Sequence, residues 1–129
     1  MTEERVRLDA LPTTYPHVFS TGPLPWGFEH GDGWCELIET LCARLNTILK
    51  DESGASLNVR QVKEKFGGLR FYYDLSGASD EMADHIRQAV DLADAASGHI
   101  CERCGRPGSL ETKAGWFSAL CTACRADST

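Results

Sequence analysis

The chain has 129 residues, the length of one ordinary domain with a small appendage, and 42% of them are hydrophobic, which is sufficient for a core. Its net charge of −6 disfavours a broad phosphate-binding surface but leaves room for a local basic patch. No apolar run approaches the ~20 residues that a membrane helix needs, and the N-terminus lacks the apolar core of a secretory signal. We therefore expect a cytoplasmic protein without membrane contact, whose six cysteines are thiols or metal ligands and not disulfides.

The chain begins with a segment, residues 1–25, in which four prolines interrupt any continuous helix or central strand. We predict that this segment is irregular and lies over the core. An amphipathic helix is predicted next, with Asp32 as its N-cap and its end near Lys50, because apolar residues recur at spacings of three and four. A second amphipathic helix is predicted between the cap Ser79 and Gly98, which would end it in a left-handed conformation.

The stretch between the helices, residues 61–74 with the sequence QVKEKFGGLRFYYD, raises the question whether its glycine pair holds a phosphate or makes a turn. Phosphate loops require GxxxxGK[ST] or GxGxxG before a helix, whereas a strand-like alternation of apolar and polar residues follows here. We therefore predict a β-hairpin over residues 57–75 with a three-residue turn, Phe66-Gly67-Gly68, in which one glycine has a positive φ. That register opposes two pairs of unlike charges, Glu64 with Arg70 and Arg60 with Asp74.

The strongest signal is a set of four cysteines in two CxxC pairs, separated by 16 residues: Cys101, Cys104, Cys121 and Cys124. Two pairs at this spacing are typical of a structural zinc site, in which four thiolates complete a tetrahedron. We predict one structural zinc ion in a module of residues 100–129, a zinc ribbon or treble clef that packs on a body of residues 1–99 through Trp116 and Phe117. The two remaining cysteines are predicted core thiols, Cys35 and Cys42.

The segment from Trp26 to Trp34, called the Trp26–Trp34 loop below, combines glycines, aromatic residues and charges. Glu29, His30 and Asp32 could form a catalytic or metal-binding group. The alternative is that Asp32 caps the helix while Glu29 and His30 are solvated. We predict that Trp34 is buried and that the rest of the loop borders a groove beside the basic hairpin strand. The residues predicted to line this binding surface are Trp26, Phe28, Glu29, His30, Arg60, Lys63, Lys65 and Arg70.

Three motifs of the chain, GFEHGDGW, VKEKFGGLRFYY and CERCGRPG…GW…LCTAC, together resemble those of a family of small uncharacterised proteins from bacteria, their phages and prophages. The resemblance spans residues 26–124 and rests mainly on the central motif. It implies no particular activity. The association with mobile elements favours an accessory or inhibitory protein of the immunity or anti-defence type.

The sequence thus predicts an α+β fold in which two amphipathic helices pack on a small antiparallel sheet, with a four-cysteine module at the C-terminus. The predicted function is a zinc-stabilised binding protein that acts on another protein, for example by inhibiting it. The first alternative is a nucleic-acid-binding zinc protein that uses Arg60, Lys63, Lys65, Arg70, Arg103 and Arg106. The second alternative is a small enzyme centred on Glu29, His30 and Asp32.

Overall fold

The computed structural model describes residues 1–127, and the last two residues of the predicted 100–129 module lie outside this range. The predicted α+β fold is confirmed: helices pack on a three-stranded sheet, and a two-stranded sheet follows near the C-terminus. The helices are α1 (Glu3–Asp9), α2 (Leu11–Thr14), α3 (Cys35–Leu49), α4 (Asp80–Ser97) and α5 (Thr122–Asp127). The strands are β1 (Phe28–Glu29), β2 (Ser56–Lys65), β3 (Gly68–Ser76), β4 (Ser109–Lys113) and β5 (Trp116–Leu120).

The prediction that the N-terminal segment is irregular is wrong for part of it, since two short helices form there. Thr2 caps α1 by accepting a hydrogen bond from the backbone N–H of Arg5, and two glutamates lie in the first turn, where the helix dipole favours negative charge. Pro12 lies in the first turn of α2, where its missing N–H costs nothing. Leu8 and Leu11 are buried, so the segment does cover the core.

The first long helix does not begin at an Asp32 cap. Residues 32–34 form a 3₁₀ turn, and α3 begins at Cys35 without a side-chain cap. The Asp32 carboxylate instead accepts hydrogen bonds from the hydroxyl of Thr2 at 2.7 Å and from the guanidinium of Arg5 at 3.1 Å. Asp32 therefore ties α1 to this turn. The predicted apolar face of α3 is confirmed, and its buried residues are Cys35, Ile38, Leu41, Cys42, Leu45 and Leu49.

The hairpin is present, but its register differs from the prediction. The turn has two residues, Phe66 and Gly67, which both have a positive φ, so that Lys65 pairs with Gly68. Glu64 therefore opposes Leu69, and Lys63 opposes Arg70. A bulge between positions 59 and 61 shifts the far end of the ladder. Despite this shift, the predicted partners Arg60 and Asp74 form an ion pair of 3.1 Å.

Strand β1 was not predicted, and it runs parallel to β2 at the edge of the sheet. Helix α4 packs on β3 and on α3, and Val62, Leu69 and Phe71 of the sheet are buried in the same core as the apolar face of α3. Ser79 caps α4, as predicted. Gly98 at the other end does not adopt the predicted left-handed conformation, since its φ is −67°.

The C-terminal part begins with a tight turn at Cys101–Cys104, continues with the β4–β5 hairpin and ends with α5, which carries Cys124. This order is that of a treble clef. The predicted packing role of the two aromatic residues is wrong for Trp116, which is 80% exposed. Phe117 is also exposed, and its ring lies edge-on to that of Phe66 with centroids 6.3 Å apart.

Candidate metal centre and recognition surface

The four predicted ligands converge at one point. The Sγ atoms of Cys101, Cys104, Cys121 and Cys124 all lie within 4.8 Å of one another, so the four cysteines could hold a metal ion. Cys104 Sγ and Cys121 Sγ are 3.6 Å apart. That separation is too long for a disulfide, whose sulfurs lie about 2.05 Å apart. It is close to the ~3.8 Å edge of a tetrahedron with metal–sulfur bonds of ~2.3 Å.

Backbone N–H groups favour the charged form of two of these sulfurs, those of Cys101 and Cys121, whereas hydrogen bonding with the Cys121 thiol raises the pKa of Cys124 to about 12. Burial raises the pKa of the Cys101 thiol, but backbone N–H groups of Cys121, Cys104 and Arg103 that point at its sulfur outweigh burial and lower the pKa to about 6. The N–H of Cys124 donates to Cys121 Sγ at 3.4 Å and lowers the pKa of that thiol. Outside the cluster, burial raises the pKa of Cys42 to about 12, as expected for a core thiol.

The Trp26–Trp34 loop joins the metal centre to the body. The N–H groups of Gly31 and Gly33 donate to the side chain and the backbone carbonyl of Glu102, at 2.8 and 2.7 Å. The indole Nε1–H of Trp34 donates to the carbonyl of Ile100 at 3.1 Å. A Cβ atom on Gly33 would overlap with backbone atoms of Cys101 and Glu102. These glycines therefore allow a close approach of two backbones, a role that local sequence patterns do not indicate.

The Phe66–Gly67 turn makes a second contact with the C-terminal part. A Cβ atom on Gly67 would overlap with the side chain of Leu110 in β4, and Glu64 accepts a hydrogen bond from the Gly67 N–H at 2.7 Å. The glycine pair is thus a turn, as predicted, with Gly67 as the glycine of positive φ. Its packing against β4 and β5 explains why the turn needs a residue without a side chain.

Glu29, His30 and Asp32 do not converge on a common site. His30 is buried between the rings of Phe28 and Trp34, and its Nδ1–H donates to the carbonyl of Gly31. Its Nε2 has no hydrogen-bond partner among the described residues. Burial lowers the pKa of His30, which favours the neutral imidazole. Glu29 lies beside Lys63 on the outer face of the sheet and accepts a hydrogen bond from Gln61.

The predicted groove exists beside Trp26, but only part of the Trp26–Trp34 loop borders it. Trp26 is 72% exposed, whereas Phe28 and His30 are buried, so the expectation that these two residues border the groove is wrong. Phe28 is turned inward because β1 pairs with β2 and alternate strand residues face opposite sides. The groove has a volume of about 700 Å³, and its lining includes Pro23, Pro25, Trp26, Arg60, Gln61, Lys63 and Tyr72.

Two of the basic residues predicted for the groove lie outside it, on the same sheet. Arg70 opposes Lys63 across the hairpin and approaches Asp94 at 3.5 Å. Lys65 lies next to the turn, with its Nζ 5.5 Å from the ring centroid of Phe66. Lys63 lies similarly over Tyr72 at 5.9 Å. Tyr72 was missed as a binding candidate, although the alternation along β3 places it on the solvent side, next to the inward-facing Phe71.

Comparison of the chain with protein-family models, with curated proteins and with solved structures gives no match. None of the helices within residues 1–127 is long and apolar enough to cross a membrane. The function is therefore inferred from the two features described above, the four converging thiols and the groove beside Trp26.

Proposed function

We propose that the protein is a zinc-stabilised binding protein that acts on another protein through the groove beside Trp26. The observation that carries this proposal is the groove itself, because an exposed tryptophan and Tyr72 flank basic and amide side chains there. Tryptophan, tyrosine and arginine are the residues most enriched among those that dominate binding energy at protein interfaces. None of the four cysteines lines the groove, so the metal has a structural role.

Zinc is the metal that fits the cysteine cluster best. Four thiolates in a tetrahedral arrangement favour zinc or iron, and among single ions zinc is the usual occupant of structural sites with two CxxC pairs. Four protein ligands complete the coordination sphere and leave no position for a reactive water. Zinc then stabilises the turn at Cys101–Cys104, which in turn supports the Trp26–Trp34 loop through Glu102.

Inhibition is the mode of action that we propose for this binding. The resemblance to small proteins of bacteria, phages and prophages supports an accessory factor of the immunity or anti-defence type. A compact acidic protein that presents aromatic side chains can cover a functional surface of its target without any chemistry of its own.

The metal proposal predicts one zinc ion per chain in protein purified without chelator, measured by elemental analysis. Because zinc binding is coupled to folding in small modules, Cys104→Ser should lower the zinc content and loosen residues 100–127 before the body, as measured by hydrogen exchange. Cys35→Ser is the matched control, since this buried thiol lies outside the cluster. Protein that carries no stoichiometric metal would contradict the proposal.

The binding proposal is tested by affinity capture of the partner from the native host, followed by variants at the groove. Trp26→Ala and Arg60→Ala should reduce the recovered partner, while the melting temperature stays within about 2 °C of the parent protein, because both side chains are exposed. Arg103→Ala and Arg106→Ala are the matched controls on the metal side. Full recovery with both groove variants, together with loss of the partner in the controls, would place the site on the cysteine module instead.

A further inference from the structure

The outer face of the β2–β3 hairpin carries a continuous row of basic and aromatic side chains that extends beyond the groove. The ladder places Gln61 opposite Tyr72, Lys63 opposite Arg70 and Lys65 opposite Gly68, all on the side away from the buried Val62 and Phe71. Beyond Lys65 the row continues to Phe66 in the turn. We call this row the basic–aromatic stripe; its members are Trp26, Tyr72, Lys63, Arg70, Lys65 and Phe66.

The stripe is arranged at a cost to stability. Lys63 and Arg70 are like charges at directly opposed positions, an arrangement that destabilises a strand pair. Neither Lys63 nor Lys65 forms an ion pair within residues 1–127; each ammonium lies over an aromatic ring instead. Cations that lie over rings remain available to an incoming carboxylate, since the ring does not neutralise them.

Phe66 adds a second sign that the stripe is built for contact. It has a φ of 55°, a left-handed conformation that a bulky side chain rarely adopts and that asparagine or glycine would adopt with less strain. Its side chain is nevertheless 63% exposed, so burial in the core does not account for it. Strained conformations of this kind cluster at functional sites.

We infer that the stripe binds an extended acidic segment of the partner, in which carboxylates alternate with aromatic or aliphatic side chains. This inference rests on the proposed function and specifies the partner's chemistry. The carboxylates would meet Lys63 and Lys65, and the apolar side chains would pack on Trp26, Tyr72 and Phe66. The stretch from Gln61 to Lys65 spans roughly 13 Å at ~3.3 Å per residue, so the segment needs about five residues to cover it.

The charge of the stripe favours a polypeptide over a nucleic acid. Two of the four cations in this region already face carboxylates, Arg60 with Asp74 at 3.1 Å and Arg70 with Asp94 at 3.5 Å. Two lysines therefore remain without an ion pair among residues 1–127, and Glu29 lies beside Lys63 on β1. Nucleic-acid binding depends on the number of phosphates that are neutralised, and two contacts supply little of that driving force. A segment with one or two carboxylates matches two lysines.

The test uses zinc-loaded full-length protein and three labelled probes: a random copolymer of glutamate and tyrosine, poly-glutamate of the same length, and a 20-mer of oligothymidylate. Affinity is measured by fluorescence anisotropy at low and at moderate salt. The parent protein should bind the glutamate–tyrosine copolymer more tightly than either other probe. Lys63→Glu combined with Lys65→Glu should weaken that binding by about tenfold or more. Lys50→Glu, at an exposed position outside the stripe, should change it by less than about twofold.

Circular dichroism melting shows whether the charge reversals leave the fold intact, and Lys63→Gln with Lys65→Gln serves as a milder pair if they do not. Tighter binding of oligothymidylate than of the copolymer would overturn the inference and favour the nucleic-acid alternative. Failure of the copolymer to bind, or equal binding by the Lys63 and Lys65 variants, would overturn it as well. The proposed function fails separately, only if groove variants keep the native partner while Arg103 or Arg106 variants lose it.

Discussion

The Trp26–Trp34 loop and the β2–β3 hairpin carry the two aromatic and glycine-containing motifs of the body, and they present them in opposite directions. In the loop, Phe28, His30 and Trp34 are buried, and the glycines receive the backbone of the cysteine module. In the hairpin, Lys63 and Tyr72 face solvent. Amino-acid composition alone therefore does not distinguish a segment that joins two parts of a protein from a segment that binds a partner.

The largest expected effect is found by comparing the two tryptophans at the ends of the loop. Trp34 is fully buried and donates to Ile100, whereas Trp26 is 72% exposed. Trp34→Ala should lower the free energy of unfolding by ~3–5 kcal/mol, because it leaves a large cavity and an unpaired carbonyl. Trp26→Ala should change it by less than ~0.5 kcal/mol. Urea denaturation measures both, and similar losses for the two variants would contradict the assignment of the loop's two ends.

A second contrast separates close approach from backbone conformation at two glycines of the same loop. Gly33→Ala should cost ~2–3 kcal/mol, since its Cβ would overlap with backbone atoms of Cys101 and Glu102, which cannot move independently. Gly27→Ala should cost ~1 kcal/mol, because only its φ of 65° is unfavourable and no atom lies within 4 Å of the added carbon. If Gly33→Ala were no more destabilising than Gly27→Ala, the loop would not be held against the cysteine module as described.

The hairpin turn should respond in a similar way but more weakly. Gly67→Val should cost ~1–2 kcal/mol through its φ of 80° and through contact with Leu110, a flexible side chain that can partly yield. Gly115→Val, at a φ of 83° with no neighbour within 4 Å, is the matched control for φ alone. Thermal unfolding of both variants measures the difference, and a smaller loss at Gly67 than at Gly115 would argue against its packing on β4.

The smallest expected effect is a change of stability with pH that arises from His30, which is buried on the inward side of the loop. Burial lowers the pKa of His30 in the folded state, and Arg5, whose guanidinium binds the His30 carbonyl, acts in the same direction, although Asp32 opposes it. The unfolded chain therefore binds the proton more readily, and stability should fall as the pH drops below about 6.5. His30→Leu should lose less stability than the parent protein between pH 7.5 and pH 5.5. Parallel urea midpoints for both proteins over this range would contradict the burial of a neutral His30.

Much of the fold follows from local patterns that the sequence displays openly. The apolar spacing along α3 and the Ser79 cap each depend on residues a few positions apart, and both predictions are confirmed. The predicted convergence of the two CxxC pairs is confirmed as well. The errors arise from contacts between distant residues. Asp32 binds Thr2 and Arg5, about thirty positions earlier, so its role as a cap could not be excluded from its neighbours.

The candidate site was predicted in part for the same reason. Trp26, Arg60 and Lys63 were correctly placed together, because a loop of glycines, aromatic residues and charges was expected beside a basic strand. Phe28 and His30 were misplaced because β1 pairs in parallel with β2, a pairing between positions more than thirty residues apart. The hairpin register was missed because the turn uses Phe66, a residue that such turns disfavour.

The central claim is that partners meet Trp26 and the outward face of the hairpin, while the rest of the loop, from Phe28 to Trp34, serves the fold. Its most direct test measures partner affinity and melting temperature for one variant, Lys63→Glu. The account predicts that affinity for the captured partner falls by about tenfold or more while the melting temperature stays within about 2 °C, because Lys63 forms no ion pair within residues 1–127. Unchanged affinity in a protein that melts at a clearly lower temperature would contradict it.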